Sequence, residues 1–187
     1  MEHTFNNIVE TTKLIVLRGP SGSGKTSVAH AIRDAETPAV PMAVIEQDYF
    51  RRTVLKEKDI PNGKNIALIK DVVLYCLNHS YHVIMEGIFD CGRYEPMFQE
   101  LLAIHPHNNF FFYFDISLEA TLKRHATKPN KDSFGEQEMR QWYKKNDLLH
   151  CTQESIIPEE WSLEESVRNI IHRSGLNHIT SSFAFSA

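Results

Sequence analysis

The sequence predicts an α/β domain built on a mainly parallel, five-stranded sheet. Three observations lead there. Short apolar, strand-like runs alternate with helical stripes along the 187 residues, the order that yields a parallel sheet covered by helices. The first run, Lys13-Leu14-Ile15-Val16-Leu17-Arg18, has the unbroken apolar centre of a strand buried on both faces. Finally, one composition regime runs through the chain, without repeats, low-complexity blocks or linkers. One domain over 1–175 is therefore expected, followed by a tail at 176–187.

Each element has its own signal. The first strand enters a glycine-rich turn and then a helix with Val28, Ala29 and Ile32 on one side. Pro38 and Pro41 bracket a loop before a second strand over 42–45. Asn62-Gly63 opens a helix whose Ile66, Ile69, Val73 and Leu77 recur at spacings of 3, 4 and 4, one helical stripe. A third strand over 82–86 ends at Gly87, and the next helix carries Met97, Leu101 and Ile104 with Pro96 in its first turn. The fourth strand, 110–114, is capped by Asp115, and Ser117 is the N-cap of a helix holding Leu118 and Leu122. The polar stretch from Ala126 to Phe134 reads as a lid near 126–135. A helix over 136–149 follows, with Trp142 and Tyr143 expected in the core beside Met139 and Asn146. Ser155-Ile156-Ile157 is the fifth strand. Ser162-Leu163-Glu164-Glu165 has capping-box form, and Gly175 stands where the last helix should stop.

Composition narrows the function. Twenty basic against 24 acidic residues give a net charge of −4, which argues against the broad cationic surface of a non-specific nucleic-acid binder. The longest apolar runs, such as 110–114, fall far below the roughly 20 residues that span a bilayer. The N-terminus lacks the basic-then-apolar order of a signal peptide, so a cytoplasmic protein is the expectation. Cys76, Cys91 and Cys151 are widely spaced and odd in number, which reads as reduced thiols. His105-Pro106-His107 lacks a second ligand pair at zinc-like spacing.

The chemistry begins at Gly19-Pro20-Ser21-Gly22-Ser23-Gly24-Lys25-Thr26, which fits G-x-x-x-x-G-K-[ST] between a strand and a helix. Glycines let backbone N–H groups turn inward around phosphate oxygens, and the helix, starting near Ser27, turns its positive end to the same anion. Lys25 would reach the β- and γ-phosphates of a nucleotide, and the Thr26 hydroxyl would ligate Mg²⁺. The second strand then runs into Glu46-Gln47-Asp48-Tyr49-Phe50-Arg51-Arg52, placing an acid at the sheet edge where α/β proteins hold ligands. Asp48 there can accept a proton from an attacking hydroxyl or bind a magnesium-coordinated water, and Arg51 and Arg52 stand by as anion clamps.

On these residues the chain resembles the P-loop small-molecule kinases, especially the chloramphenicol phosphotransferase and zeta-toxin group. Gluconate, shikimate and adenylate kinases are more distant relatives. Asp48-Tyr49-Phe50-Arg51 matches the group's acid-then-aromatic signature, and Ile84-Met85-Glu86-Gly87 matches its third strand ending in Glu-Gly. The resemblance implies a three-layer P-loop NTPase fold with strand order 2-3-1-4-5. It also implies ATP and Mg²⁺ as cofactors, Asp48 as catalytic base and metal-site residue, and a small-molecule hydroxyl as acceptor. Glu86 would face the magnesium water or the acceptor, and Asp90 and Arg93 would border the acceptor pocket. Arginines at the base of the lid would close the charge shell. Arg124 is the candidate for adenine stacking or phosphate contact, Arg140 for reaching the γ-phosphate, and Lys128 is a further candidate.

Other readings of the same loop remain. A GTPase would need D-x-x-G, but Asp90-Cys91-Gly92-Arg93 has its glycine one place early, and Asn130-Lys131-Asp132-Ser133 only nears the guanine-reading N-K-x-D. An ATPase, a regulatory nucleotide-binding module and a polynucleotide kinase stay open as alternatives. The acceptor's identity is not encoded, and Phe183 and Phe185 in the tail leave a homodimer open.

Overall fold

The computed structural model describes residues 12–35, 41–127 and 135–176. Five strands form one sheet: β1 (Leu14–Arg18), β2 (Met42–Glu46), β3 (His82–Gly87), β4 (Asn109–Asp115) and β5 (Ser155–Pro158). Every neighbouring pair is parallel and the spatial order is β2-β3-β1-β4-β5, as the resemblance implied. The helices are α1 (Lys25–Asp34), α2 (Lys64–Asn78), α3 (Cys91–Ile104), α4 (Leu118–His125), α5 (Glu136–Trp142) and α6 (Leu163–Arg173).

Central β1 is wholly buried and separates two cores. Because side chains alternate along a strand, Leu14 and Val16 pack with Ile69 and Val73 of α2 and Phe98 and Leu101 of α3. Ile15 and Leu17 face the other way, onto Val28 and Ile32 of α1 and Val167 and Ile170 of α6. Helices on both faces make three layers. Both predicted caps form: Ser117 accepts from the Ala120 N–H, and Ser162 and Glu165 close a capping box. Gly175 follows α6 at φ 63°.

Three expectations need correction. α3 starts at Cys91, so Pro96 lies in its second turn. The early start comes from a distant carboxylate, since Asp147 Oδ2 accepts from the Cys91 N–H at 2.9 Å. The Gly92 carbonyl that Pro96 cannot serve belongs to an exposed residue, open to solvent. Ile104, at the end of α3, is exposed instead of packed. The helix expected over 136–149 ends at Trp142, because Tyr143 turns to extended backbone and Asn146 takes φ 55°. Trp142 is consequently half-buried against a cavity and does not enter the core. Cys76, Cys91 and Cys151 are free thiols. Among the described residues no helix is long and apolar enough to cross a membrane. Lys128 and most of the proposed lid, the Asn130–Ser133 segment and the tail beyond Leu176 lie outside the described residues.

Candidate active site

The glycine-rich loop leaves the C-terminal end of β1 and runs directly into α1. Its shape needs glycine. Gly22 adopts φ 80°, and a Cβ there would lie 2.8 Å from the Thr121 carbonyl oxygen of α4. At Gly24, with φ 102°, an added Cβ would meet no atom within 4 Å, so the loop encloses open space at the mouth of α1. Lys25 folds back over this hollow, its Nζ donating to the carbonyls of Gly19 (3.0 Å) and Pro20 (2.8 Å) and to Ser23 Oγ (3.1 Å). Ser21 stays half-buried in the turn and Ser27 lies exposed on the first turn of α1.

Thr26 Oγ1 donates to Glu86 Oε1 at 2.9 Å. One turn further along α1, His30 Nε2 lies 2.7 Å from Glu46 Oε1. Glu46 and Glu86 are register partners on β2 and β3, so two neighbouring strand ends meet an i, i+4 pair of the helix. Burial pushes the Glu86 carboxyl above the usual range, and the Lys25 charge and the Thr26 hydrogen bond offset only part of that. A cation bound beside it would favour the charged form.

Asp48 follows β2 at the head of a short π-helical turn, Tyr49–Val54. Its carboxylate does not meet Thr26. Oδ1 instead holds both arginines of the turn, Arg51 Nη2 at 2.6 Å and Arg52 Nε at 3.2 Å. The structure therefore brings Glu86 to the Thr26 hydroxyl, while Asp48 is held by the two arginines. Arg124 Nη1 donates to the Ser23 carbonyl at 3.0 Å and Nη2 to Glu159 O at 3.2 Å, which fixes it beside the loop. Arg140 is drawn elsewhere: its Nε and Nη2 both bind Glu136 Oε1 on the exposed side of α5.

Two cavities flank the loop. One, of about 360 Å³, is bordered by Ser23, Gly24, Ser27 and Arg124, with Phe114, Ile157 and Trp161 among its apolar walls. The other, of about 310 Å³, opens over the ends of β2 and β3 and is lined by Arg51, Arg52, Asp90, Arg93 and Trp142 among others. Between that cavity and the loop lies a narrow space walled by Gly19, Pro20, Ile88, Asp90, Trp142 and Lys144.

Sequence reasoning expected Asp90 beside the acceptor, and it borders both spaces, is nearly buried, and pairs with Lys144. It missed the support beneath. Tyr94 Oη donates to Asp59 Oδ1 (2.7 Å) and accepts from Gln47 (2.6 Å) and Asn65 (2.9 Å). Burial, with the Asp59 charge next, raises the Tyr94 pKa and keeps the hydroxyl protonated. It also missed Arg18, fully buried at the end of β1, which binds Phe89 O, Asp147 and Glu154. Phe89 sits at φ 43°, left-handed backbone that costs a non-glycine residue about 1–2 kcal/mol. Its buried ring against Tyr94 and Phe98, and its carbonyl on Arg18, hold it there. No signal within a few residues announces these contacts.

Solved structures share this fold at low sequence identity. Mycobacterium tuberculosis APS kinase in complex with AMPPNP and APS aligns with TM-score 0.61 at 16% identity, covering 86% of this chain and 96% of its own. The Deinococcus radiodurans tunicamycin resistance protein aligns with TM-score 0.60 at 18% identity, over 88% and 96%. A Sinorhizobium meliloti gluconokinase aligns with TM-score 0.57 at 19% identity, over 91% and 98%. No curated protein matches the chain. The AAA-domain family model matches residues 14–146, and with that match spanning the loop, both acids and the helices that carry Arg93 and Arg124, the chain belongs to the AAA-domain family.

Proposed function

We propose that this chain is a kinase that moves the γ-phosphoryl group of MgATP to a hydroxyl of a small molecule. The observation that carries this reading is the pair of cavities on either side of the phosphate loop. A nucleotide hydrolase needs one site; a phosphotransferase needs a donor site and an acceptor site that share the transferred group. The fold likeness to an APS kinase crystallised with an ATP analogue and with APS agrees with that division.

The residues fit the donor. The hollow at Gly24 and the N-terminus of α1 suit phosphate oxygens, and the half-apolar cavity beside Arg124 suits a nucleoside. Lys25 would turn from the Gly19 and Pro20 carbonyls to the phosphates. Thr26, with Glu86 behind it, would hold Mg²⁺. An ion held there would offset the charge of the phosphates. In the transfer, the acceptor oxygen bonds to Pγ while the bond from Pγ to the bridging oxygen of ADP breaks, and the hydroxyl proton passes to a carboxylate. Asp48 is our choice for that carboxylate, freed when Arg51 and Arg52 turn to the substrates. Arg124 offsets charge on the transferred group from the loop side.

The test uses γ-labelled ATP, Mg²⁺ and a small-molecule extract. Label in an organic product is the expected result. Label only in free phosphate, at a rate the extract does not change, would sink the kinase reading in favour of an ATPase or a regulatory module.

A further inference from the structure

The acceptor cavity carries a charge pattern opposite in sign to that of the whole chain. The chain is net negative at −4, yet this cavity of about 310 Å³ is lined by five cationic side chains, Arg51, Arg52, Lys58, Arg93 and Lys144, against two carboxylates, Asp59 and Asp90. Lys144 pairs with Asp90 and Arg93 pairs with Asp59 at 2.7 Å. Arg51 and Arg52 share one oxygen of Asp48.

That surplus is not explained by the transferred phosphoryl group. Lys144, Asp90 and Trp142 also border the narrow space that touches Gly19 and Pro20, and so stand next to the loop. Arg51, Arg52, Lys58 and Arg93 border the outer cavity and not that narrow space, so the shared wall stands between them and the loop. A neutral acceptor would gain little from four cations gathered there. An anionic acceptor faces the opposite problem. It must approach a nucleotide that is itself negative, and a local positive field is what lowers that barrier. Guanidinium groups match the oxygen geometry of phosphate and sulfate.

Resting on the kinase reading above, we infer that the acceptor is itself an oxyanion: a small molecule bearing a phosphate or sulfate ester, bound by Arg51, Arg52, Lys58 and Arg93. Trp142, with the Arg52 guanidinium 5.5 Å from its ring centroid, supplies a flat surface beside those cations for the organic part of the same molecule. The hydroxyl to be phosphorylated then points toward the loop.

The test splits the extract on an anion-exchange resin before the labelling reaction. Label in a product from the retained fraction is expected. Pretreating that fraction with a phosphatase, then removed, abolishes the acceptor if its ester is a phosphate and spares it if it is a sulfate. Label from the unretained fraction alone overturns the anionic acceptor and leaves the kinase standing. No labelled product from either fraction overturns both. With the acceptor in hand, Arg93→Gln and Lys58→Gln should each raise its KM about 10- to 100-fold, the loss of one charge-assisted contact, with the KM for ATP held within about twofold. An acceptor KM unchanged in both variants removes these side chains from the site and overturns the inference.

Discussion

Replacing Arg18 by methionine should unfold this protein far more readily, although the side chain reaches no ligand. The guanidinium is fully buried and makes five hydrogen bonds: Nε and Nη2 to Phe89 O, Nη1 to Asp147 O and Glu154 Oε2, and Nη2 to Asp147 Oδ2. Methionine fills much of the volume but supplies no donor. The Glu154 carboxylate, 1% exposed, would then be buried with only the Leu149 N–H on Oε2, while Oε1 already lacks a partner. Removing one member of such a pair costs about 3–5 kcal/mol, which at this chain length lowers the melting temperature by about 6–20 °C. Urea unfolding followed by far-ultraviolet circular dichroism measures it. Glu154→Gln in the same chain neutralises the stranded charge and should recover about 1–3 kcal/mol. A loss under about 1 kcal/mol, or no recovery in the double variant, would refute the reasoning.

Three other outcomes are expected. Gly22→Ala should cost about 1–3 kcal/mol from its left-handed backbone and its clash with Thr121, and should lose binding of a fluorescent ATP analogue; unchanged affinity would show the loop tolerates a Cβ. Asp48→Asn should lower kcat by about 10²-fold or more with nucleotide affinity intact; if only Asp90→Asn does so, the base is Asp90. His82 is buried, accepts the Lys13 N–H on Nδ1, and by burial and then the Lys13 charge is lowered from 6.5 to about 4. The unfolded imidazole takes its proton first, so stability should fall as pH drops from 6.5 toward 4, by up to about 3 kcal/mol. His82→Gln should flatten that slope, and an identical slope in the variant would assign it elsewhere.

What the amino-acid order determined by itself was the local chemistry. The loop 19–26, the strands, the cap at Ser117 and the box at Ser162 each depend on residues a few positions apart, so a short window contains the whole cause. The same holds for the stripe on α2, of which Ile69, Val73 and Leu77 are buried. The sheet order followed from resemblance and is observed. What only the tertiary structure decided were contacts between distant segments. Thr26 meets Glu86 sixty residues away, Arg18 meets Glu154 across 136, and Asp147 starts a helix 56 residues earlier. The helix carrying Trp142 stops there because the chain leaves α5 to bring Asp147 under Arg18, and the indole is left facing the cavity beside Arg52. Periodicity reports which face of an element is apolar. It does not report which charged group folding will set beside another, and the cavity over the ends of β2 and β3 is made of those pairings.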